Sequence, residues 1–224
     1  MVMMAASVAM GGQITINQTV YSYDVGGEFA LTGLPGVLGN YSGGANSTKN
    51  IGYDQSFQTF CLEHGENFSP GTPYYYSISD RAYNGGVGTG GDPISIGTAY
   101  LYSQFAAGTL KGYFDNTQGR PDSARQLQNA IWWLEGEGGL SFDINNVFEK
   151  MVRDQYGYDS THDRYLAMND ANGAFGVQVV NVWINEDHTG FAQDQLVITP
   201  EPATLLLYGF GLLGLDVWRR CRKS

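Results

Sequence analysis

The sequence predicts an α+β fold, in which a β-rich sheet or barrel carries a central helical insert and a single apolar span follows at the C-terminus. Three observations support this prediction. Apolar and polar residues alternate near both ends of the chain, apolar residues recur at helical spacing in the middle, and 31 glycines punctuate the sequence. The order of strands, helices and then strands is typical of one α+β domain.

Strands are predicted first and last along the chain. In residues 13–23, Ile14 and Ile16 alternate with Thr15 and Asn17, which is the period of a half-buried strand. Further strands are expected over residues 28–32, 57–63, 175–184 and 195–198, and glycine-rich loops over 33–50 and 84–92. The 57–63 strand would place Phe57, Thr59, Cys61 and Glu63 on one face.

The helical insert is predicted to contain four segments. The first covers residues 96–110, and the second starts at the capping pair Asp122-Ser123, after a break at Pro121, and ends at Leu134. Two shorter amphipathic helices are expected over residues 144–156 and 161–170.

The C-terminal residues combine a proline motif, an apolar segment and a basic cluster. Residues 203–218 are sixteen positions with one charge, Asp216. A membrane span usually needs at least about 17 residues, so this one is short. Basic residues after a span stay cytoplasmic, which would leave residues 1–202 outside. The motif is Pro200, Glu201 and Pro202, and the basic cluster is Arg219, Arg220, Arg222 and Lys223.

This tail, residues 200–224, resembles the PEP-CTERM sorting signal of bacterial exosortase substrates, although Asp216 departs from the usual uncharged segment. The resemblance implies a single-span sorting helix, a stop-transfer role for the basic cluster, and an exosortase-type protease that cuts near the Pro200 motif. The protein would be exported through an inner-membrane intermediate to the cell surface or exterior. Residues 1–11 have the small residues of a signal-peptide end without its basic region, so we expect the true start upstream of Met1.

The remaining domain, residues 12–199, is acidic and has one cysteine. Residues 1–202 contain 8 Lys/Arg against 21 Asp/Glu, a net charge of −13. Nucleic acid and anionic membranes require basic patches, so neither is expected as a partner of the domain; contact with membrane is expected only through the tail. Because Cys221 lies in the tail, Cys61 is a lone thiol in an oxidising exterior.

Two segments of this domain carry a possible chemistry. Thr59-Phe60-Cys61-Leu62-Glu63 lies on a predicted strand, and Gln128-Asn129-Ala130-Ile131-Trp132 lies on a predicted helix. An aromatic residue before Cys, with a later Gln-x-Ala-Ile-Trp, resembles the thioester domains of bacterial surface adhesins over roughly residues 55–135. Most such adhesins belong to Gram-positive cell walls, so the PEP-CTERM tail is a departure. The resemblance implies that the Cys61 thiol attacks the Gln128 amide, releases ammonia and leaves an internal thioester.

This chemistry would require close contact and shelter from water. An amide is a poor electrophile, so the thiol must be held against it, and the thioester must be kept dry until an amine arrives. Phe60, Trp132, Trp133 and Tyr100 are candidates for an apolar wall, and backbone amides near Cys61 or Gln128 for an oxyanion site. The alternative is structural: a buried cysteine that fills space and a glutamine on the surface of a helix.

Other candidate sites are weaker. His64 follows Cys61 by three residues, which places the two side chains on opposite faces of a strand. We interpret the pairs Glu63/Glu66 and Glu135/Glu137 as solvated charges and not as catalytic carboxylate pairs. Residues 185–190 resemble half of a calcium loop, but Leu196 stands where a bidentate Glu is expected, so a glycine-ended turn is favoured. The three histidines show no zinc-ligand spacing, and we expect no metal and no cofactor.

The leading hypothesis is a secreted, exosortase-processed surface or matrix protein. It would bind a cell-surface or matrix polymer or protein, with covalent attachment through Cys61 and Gln128, and it would act once per molecule rather than as an enzyme. The alternative is a non-covalent structural or carbohydrate-binding module of an exopolysaccharide or biofilm matrix. That alternative rests on 15 tyrosines and 4 tryptophans, and above all on Tyr74-Tyr75-Tyr76, which would stack on sugar rings.

Overall fold

The computed structural model describes residues 9–23, 26–33, 53, 56–83, 91–113 and 119–198. Within these residues the fold is α+β, as predicted, with a six-stranded antiparallel sheet and three α-helices. The strands are β1 Ala9–Tyr23, β2 Gly26–Thr32, β3 Phe57–Thr59, β4 Pro73–Ser79, β5 Arg81–Ala82, β6 Asp92–Pro93, β7 Tyr158–Asp159, β8 Arg164–Tyr165, β9 Val177–Trp183 and β10 Phe191–Ile198. The helices are α1 Ile96–Ala106, α2 Arg120–Leu134 and α3 Val147–Tyr156.

The sheet has the order β10-β9-β4-β1-β2-β3, and its two outer strands meet. The chain leaving β3 forms an antiparallel bridge from Cys61 to Gln195 of β10. Leu62 N donates to Asp194 O at 3.0 Å, and Leu196 N donates to Phe60 O at 3.1 Å. We call residues 60–63 and 193–196 the seam, because they join the two edges of the sheet.

Two hydrophobic cores lie on the two sides of the sheet, and helix α2 contributes to both. Alternation explains the division, since successive strand residues point to opposite faces. The enclosed core contains Ile14, Ile16, Phe29, Leu31, Phe57, Cys61, Tyr74, Tyr76, Trp132, Val180, Val182, Ala192 and Val197. The helix-side core includes Phe60, Leu62, Leu101, Phe105, Tyr113, Leu127, Ile131, Trp133, Phe148, Val179 and Leu196.

The helix boundaries correct several predictions. Helix α2 starts at Arg120 and holds Pro121 in its first turn, where a missing N–H costs nothing, so the predicted break at Pro121 is wrong. Helix α1 ends at Ala106 instead of 110. Helix α3 starts at Val147 because the Asn146 side chain accepts hydrogen bonds from Phe148 N and Glu149 N and caps it there.

The predicted helix over residues 161–170 is wrong. The segment forms the β7–β8 hairpin and a 3₁₀ turn, Leu166–Met168. The Asp159 carboxylate accepts hydrogen bonds from Thr161 N at 2.9 Å and His162 N at 3.3 Å, and this local turn competes with helix formation. Strand β4 was not predicted, and the 57–63 strand ends at Thr59 before the isolated bridge at Cys61.

Several expectations concern residues outside the described ranges. The proposed sorting tail, residues 200–224, lies outside them, as do residues 1–8 and most of the two predicted glycine-rich loops. Ala9–Gly11, expected to end a signal peptide, belong to β1. In the described part of the chain, no helix is both long enough and apolar enough to cross a membrane.

Candidate functional site

The structure brings Cys61 and Gln128 into direct contact. Cys61 lies in the seam, and Gln128 lies on the face of α2 that packs against β1 and β2. Gln128 Nε2 donates to Cys61 O at 2.7 Å, and Cys61 N donates back to Gln128 Oε1 at 3.1 Å. The two residues are 67 positions apart in sequence, so the fold holds the carboxamide in one orientation against the cysteine.

A second backbone donor reaches the same carboxamide oxygen. Gly27 N donates to Gln128 Oε1 at 3.3 Å, so this oxygen receives two backbone N–H groups. Gly27 has φ +103°, a conformation that side chains disfavour. At Gly26, an added Cβ would lie 2.6 Å from Gln128 Cγ and 2.6 Å from Trp132 Cη2. The glycine pair therefore permits both the close approach of α2 and the second hydrogen bond.

The thiol is buried and protonated. Cys61 has no exposed surface, and Gln195 Nε2 donates to its Sγ at 3.2 Å. Burial raises the pKa of the Cys61 thiol far above its ordinary value; the Gln195 hydrogen bond lowers this pKa, and the nearby Glu63 carboxylate raises it again. Cys61 forms no disulfide within the described residues. Any reaction at Sγ therefore starts from a neutral thiol that its surroundings hold in place.

Only one of the four predicted shielding residues packs on this pair. Trp132 shares the enclosed core with Cys61 and contacts the same glycine as Gln128. Trp133, one position later on α2, points into the helix-side core against Phe142 and Tyr165. Phe60 and Tyr100 also belong to the helix side, so the predicted wall is reduced to Trp132.

Two acidic side chains are buried in the seam beside the thiol. Asp194 N donates to Glu63 Oε2 at 3.0 Å, and Val182 N donates to Asp194 Oδ1 at 2.7 Å. Burial raises the pKa of both carboxyls well above ordinary values, with the charge of Glu66 adding to each. The solvated-charge interpretation is therefore wrong for Glu63. Among the described residues, no group of three or more His, Cys, Asp or Glu side chains is arranged to hold a metal ion.

A third buried polar group, Glu28, was missed by the sequence analysis. Its carboxylate has no exposed surface and accepts hydrogen bonds from Arg120 Nη2 at 2.6 Å, Arg120 Nε at 3.0 Å, Tyr113 OH at 2.6 Å and the Gln58 amide. Glu28 follows Gly27 directly. The same strand residues thus anchor the start of α2 through Arg120 and its middle through Gln128.

The weaker candidates are placed as follows. His64 is exposed, and its ring packs against Trp132, with the centroids 4.7 Å apart; the thiol is bonded to Gln195 instead. The Glu135 carboxylate accepts hydrogen bonds from Ser95 N at 3.2 Å and from Ser95 Oγ at 2.9 Å. Burial raises the pKa of Glu135 to about 7, so it is not a solvated charge. Residues 185–190 form the β9–β10 turn, closed by Asn185 Nδ2 to Thr189 O at 3.0 Å.

The tyrosine triplet does not form a sugar platform. Tyr74 and Tyr76 are 6% and 1% exposed and lie in the enclosed core, and Tyr75 is half-buried. Alternation on β4 explains this, since residues 74 and 76 share one face. The stacking surface expected from Tyr74-Tyr75-Tyr76 is therefore wrong.

Gln195 and Gly27 are the site residues that sequence reasoning missed. Gln195 is 134 positions from Cys61, and nothing in its local sequence distinguishes it from other strand residues. The Gly26-Gly27 pair does carry a signal, because two glycines between alternating strands mark a close backbone approach. Comparison of the chain with protein-family models, curated proteins and solved structures finds no match.

Proposed function

We propose that the domain forms an internal thioester between Cys61 and Gln128 and uses it to attach covalently to an amine on a partner. The observation that supports this proposal is the clamp on the Gln128 carboxamide. Its nitrogen and oxygen are both bonded to the Cys61 backbone, and its oxygen is also bonded to Gly27 N. Two stretches of backbone, at Cys61 and at Gly27, thus hold the carboxamide in one orientation beside the cysteine.

The proposed bond formation balances without a cofactor. Cys61 Sγ attacks Gln128 Cδ, the thiol proton goes to the departing amide nitrogen, and ammonia leaves. Negative charge develops on Oε1 during the attack, where two backbone N–H groups already stand at 3.1 and 3.3 Å. The Cys61 backbone holds the carboxamide next to its own residue, and this proximity would compensate for the low reactivity of a neutral thiol and an amide.

The thioester would then be consumed once. A primary amine of the partner attacks Cδ, the C–S bond breaks, and the thiol of Cys61 recovers a proton from the attacking nitrogen. The product is an amide that links Gln128 to the partner. Each molecule therefore acts as a single-use cross-linker, and the partner class is a surface or matrix polymer or protein that carries exposed amines.

Intact mass measurement on the purified full chain tests this function. We expect a mass lower by one ammonia than the sequence requires, and the addition of one methylamine when that amine is supplied. Cys61→Ala and Gln128→Ala should each show the full mass and no adduct. An unmodified parent chain with a free Cys61 thiol would overturn the proposal.

We also propose that the chain is exported and sorted through residues 200–224. This rests on the Pro200-Glu201-Pro202 motif, the apolar segment and the basic cluster of the sequence. Replacing the three motif residues by alanine should leave the full-length chain in the inner-membrane fraction. Release of that variant to the surface at the parent rate would contradict the proposal.

A second candidate function, non-covalent carbohydrate binding, is favoured by a polar cleft away from the tyrosines. The cleft has a volume of about 350 Å³ between α2 and the chain leading to α3. Its lining offers hydrogen-bonding groups of the kind that sugar hydroxyls use, and one apolar contact. The residues that line it include Arg125, Asn129, Leu140, Ser141, Asp143 and Glu149.

A glycan array separates this candidate from the thioester function. Asn129→Ala should remove binding that the parent and Gln128→Ala both retain, because Asn129 lines the cleft and Gln128 does not. Equal binding by Asn129→Ala and the parent would reject the cleft as the sugar site.

A further inference from the structure

The reactive pair is sealed from solvent, so an incoming amine needs a route. Cys61 is 0% exposed and Gln128 is 1% exposed. A nucleophile can reach Gln128 Cδ only if a covering group moves. Among the described residues, Trp132 lies next to Gln128, and the exposed His64 packs on Trp132.

Trp132 forms the inner layer of this cover. It lies one helical turn after Gln128, and both side chains pack against the same point on Gly26. The ring is 4% exposed, and its Nε1–H finds no hydrogen-bond partner among the described residues. A buried N–H without an acceptor is unfavourable, and outward rotation of the ring would relieve it. Within the described ranges, no hydrogen bond to Nε1 therefore holds the indole in the closed position.

His64 forms the outer layer. Its exposed imidazole meets the Trp132 ring edge to face, with centroids 4.7 Å apart and an interplanar angle of 77°. His64 N donates to Glu137 Oε2 at 3.2 Å, which ties the residue to the turn after α2. At Gly138 of that turn, an added Cβ would lie 2.9 Å from His64 Cγ, so the glycine leaves room for the imidazole.

We propose that Trp132 and His64 are the entrance for the amine and decide which amines reach the thioester. The inference rests on the proposed function. The imidazole leaves first, the indole rotates into the space it occupied, and the amine then reaches Gln128 Cδ from the Gly26 side. Slender primary amines need a small opening and bulky amines a larger one, so the two rings select by the shape of the nucleophile near its nitrogen.

His64→Ala tests the entrance, with His162→Ala as the matched control. His162 is also exposed, but its imidazole contacts Asp159 in the β7–β8 hairpin. An edge-to-face ring pair stabilises the closed state enough that its loss should raise the aminolysis rate about five- to tenfold. We expect this increase for methylamine and a larger one for cyclohexylamine, with the mass deficit of the unreacted chain unchanged and His162→Ala equal to the parent.

A thiol measurement keeps the test independent of the thioester. In a Gln128→Met background no ammonia can be lost, and Cys61 remains a free thiol of similar surroundings. There, His64→Ala should raise the rate of alkylation by iodoacetamide relative to Gln128→Met alone, and His162→Ala should not. If His64→Ala speeds alkylation but the parent shows no mass deficit, the thioester proposal is overturned and the entrance proposal stands. Equal aminolysis and alkylation rates with and without the His64 side chain would overturn the entrance.

Discussion

Helix α2 is fastened to strand β2 at two buried polar contacts that differ in charge. At Glu28, an ionised carboxylate accepts hydrogen bonds from Arg120, Tyr113 and Gln58. At Gln128, a neutral carboxamide is held by the backbone of Cys61 and Gly27. Buried atoms without a hydrogen-bond partner occur near both contacts in the described part of the chain: Gln58 Oε1 near Glu28, and Gln195 Oε1 and Trp132 Nε1 near Cys61 and Gln128.

The Glu28 and Gln128 contacts therefore have different roles. A saturated buried ion pair fixes one arrangement, because removing any partner leaves an uncompensated charge. A neutral carboxamide can change its bonding without leaving a buried charge. The Glu28 contact therefore fixes the position of α2, whereas the Gln128 contact lies at the place where we propose that bonds change.

Glu28→Ala should have the largest effect on the free energy of unfolding, because it removes the buried ion pair. It leaves the Arg120 guanidinium without its buried partner, and we expect a loss of about 3 kcal/mol in the free energy of unfolding. Urea denaturation measures this loss. Glu186→Ala, at an exposed turn position, is the control and should change stability little. A Glu28→Ala protein as stable as the control would show that the ion pair does not anchor α2.

Gly26→Ala should disturb the contact at Gln128. The new methyl group would lie 2.6 Å from Gln128 Cγ and from Trp132 Cη2, so α2 must shift. Overpacking of this kind lowers the free energy of unfolding by about 2 kcal/mol, and the shift should also remove the mass deficit of the thioester. Gly65→Ala is the matched control, because a Cβ there meets nothing within 4 Å. A normal mass deficit in Gly26→Ala would contradict the close-approach argument.

The pH dependence of stability should report the burial of Glu63 and Asp194. Unfolded carboxyls ionise at about pH 4, whereas burial raises the pKa of Glu63 and Asp194 in the fold. Above pH 4 the folded state therefore binds more protons than the unfolded state, and stability falls as pH rises. Glu63→Gln cannot ionise and should flatten that decline in urea denaturation between about pH 4 and pH 8. An unchanged slope, equal to that of Glu186→Gln, would exclude Glu63 as the cause.

Gln195→Met should give the smallest change in stability. It removes a hydrogen bond to sulfur, a hydrogen bond to Gln193 O and one unpaired amide oxygen, so the free energy of unfolding should fall by about 1 kcal/mol. The same substitution removes the hydrogen bond that lowers the pKa of the Cys61 thiol. We expect slower ammonia release during thioester formation, followed by timed mass spectra after refolding. Release at the parent rate would show that Gln195 only packs.

The sequence could predict the parts of this molecule that depend on local pattern. Alternation in residues 13–23 predicted the strand that carries Ile14 and Ile16 into the core. The pairing of Cys61 with Gln128 came from the resemblance to adhesin thioester domains, and the fold does bring the two residues together. The helix predicted over residues 161–170 does not form, because the Asp159 carboxylate bonds the backbone of a turn there.

Long-range partners could not be predicted in the same way. Gly27 N reaches Gln128 across 101 positions, and Gln195 reaches Cys61 across 134. Both depend on how the sheet closes, which no single segment encodes. The position of Trp133 in the helix-side core likewise depends on residues that come from several elements.

The seam has a mechanical consequence. Cys61 belongs to the chain that joins the sheet edges, and Gln128 belongs to a helix. A partner attached to Gln128 would pull on the helix after the sulfur bond has opened, so tension would enter the chain at residue 128 and run towards β10 through α3 and β9. Strands β1 to β4 precede the point of attachment and lie off that covalent path. They would act as a brace, connected to the loaded segment through the hydrogen bonds between β4 and β9 and through those of the seam.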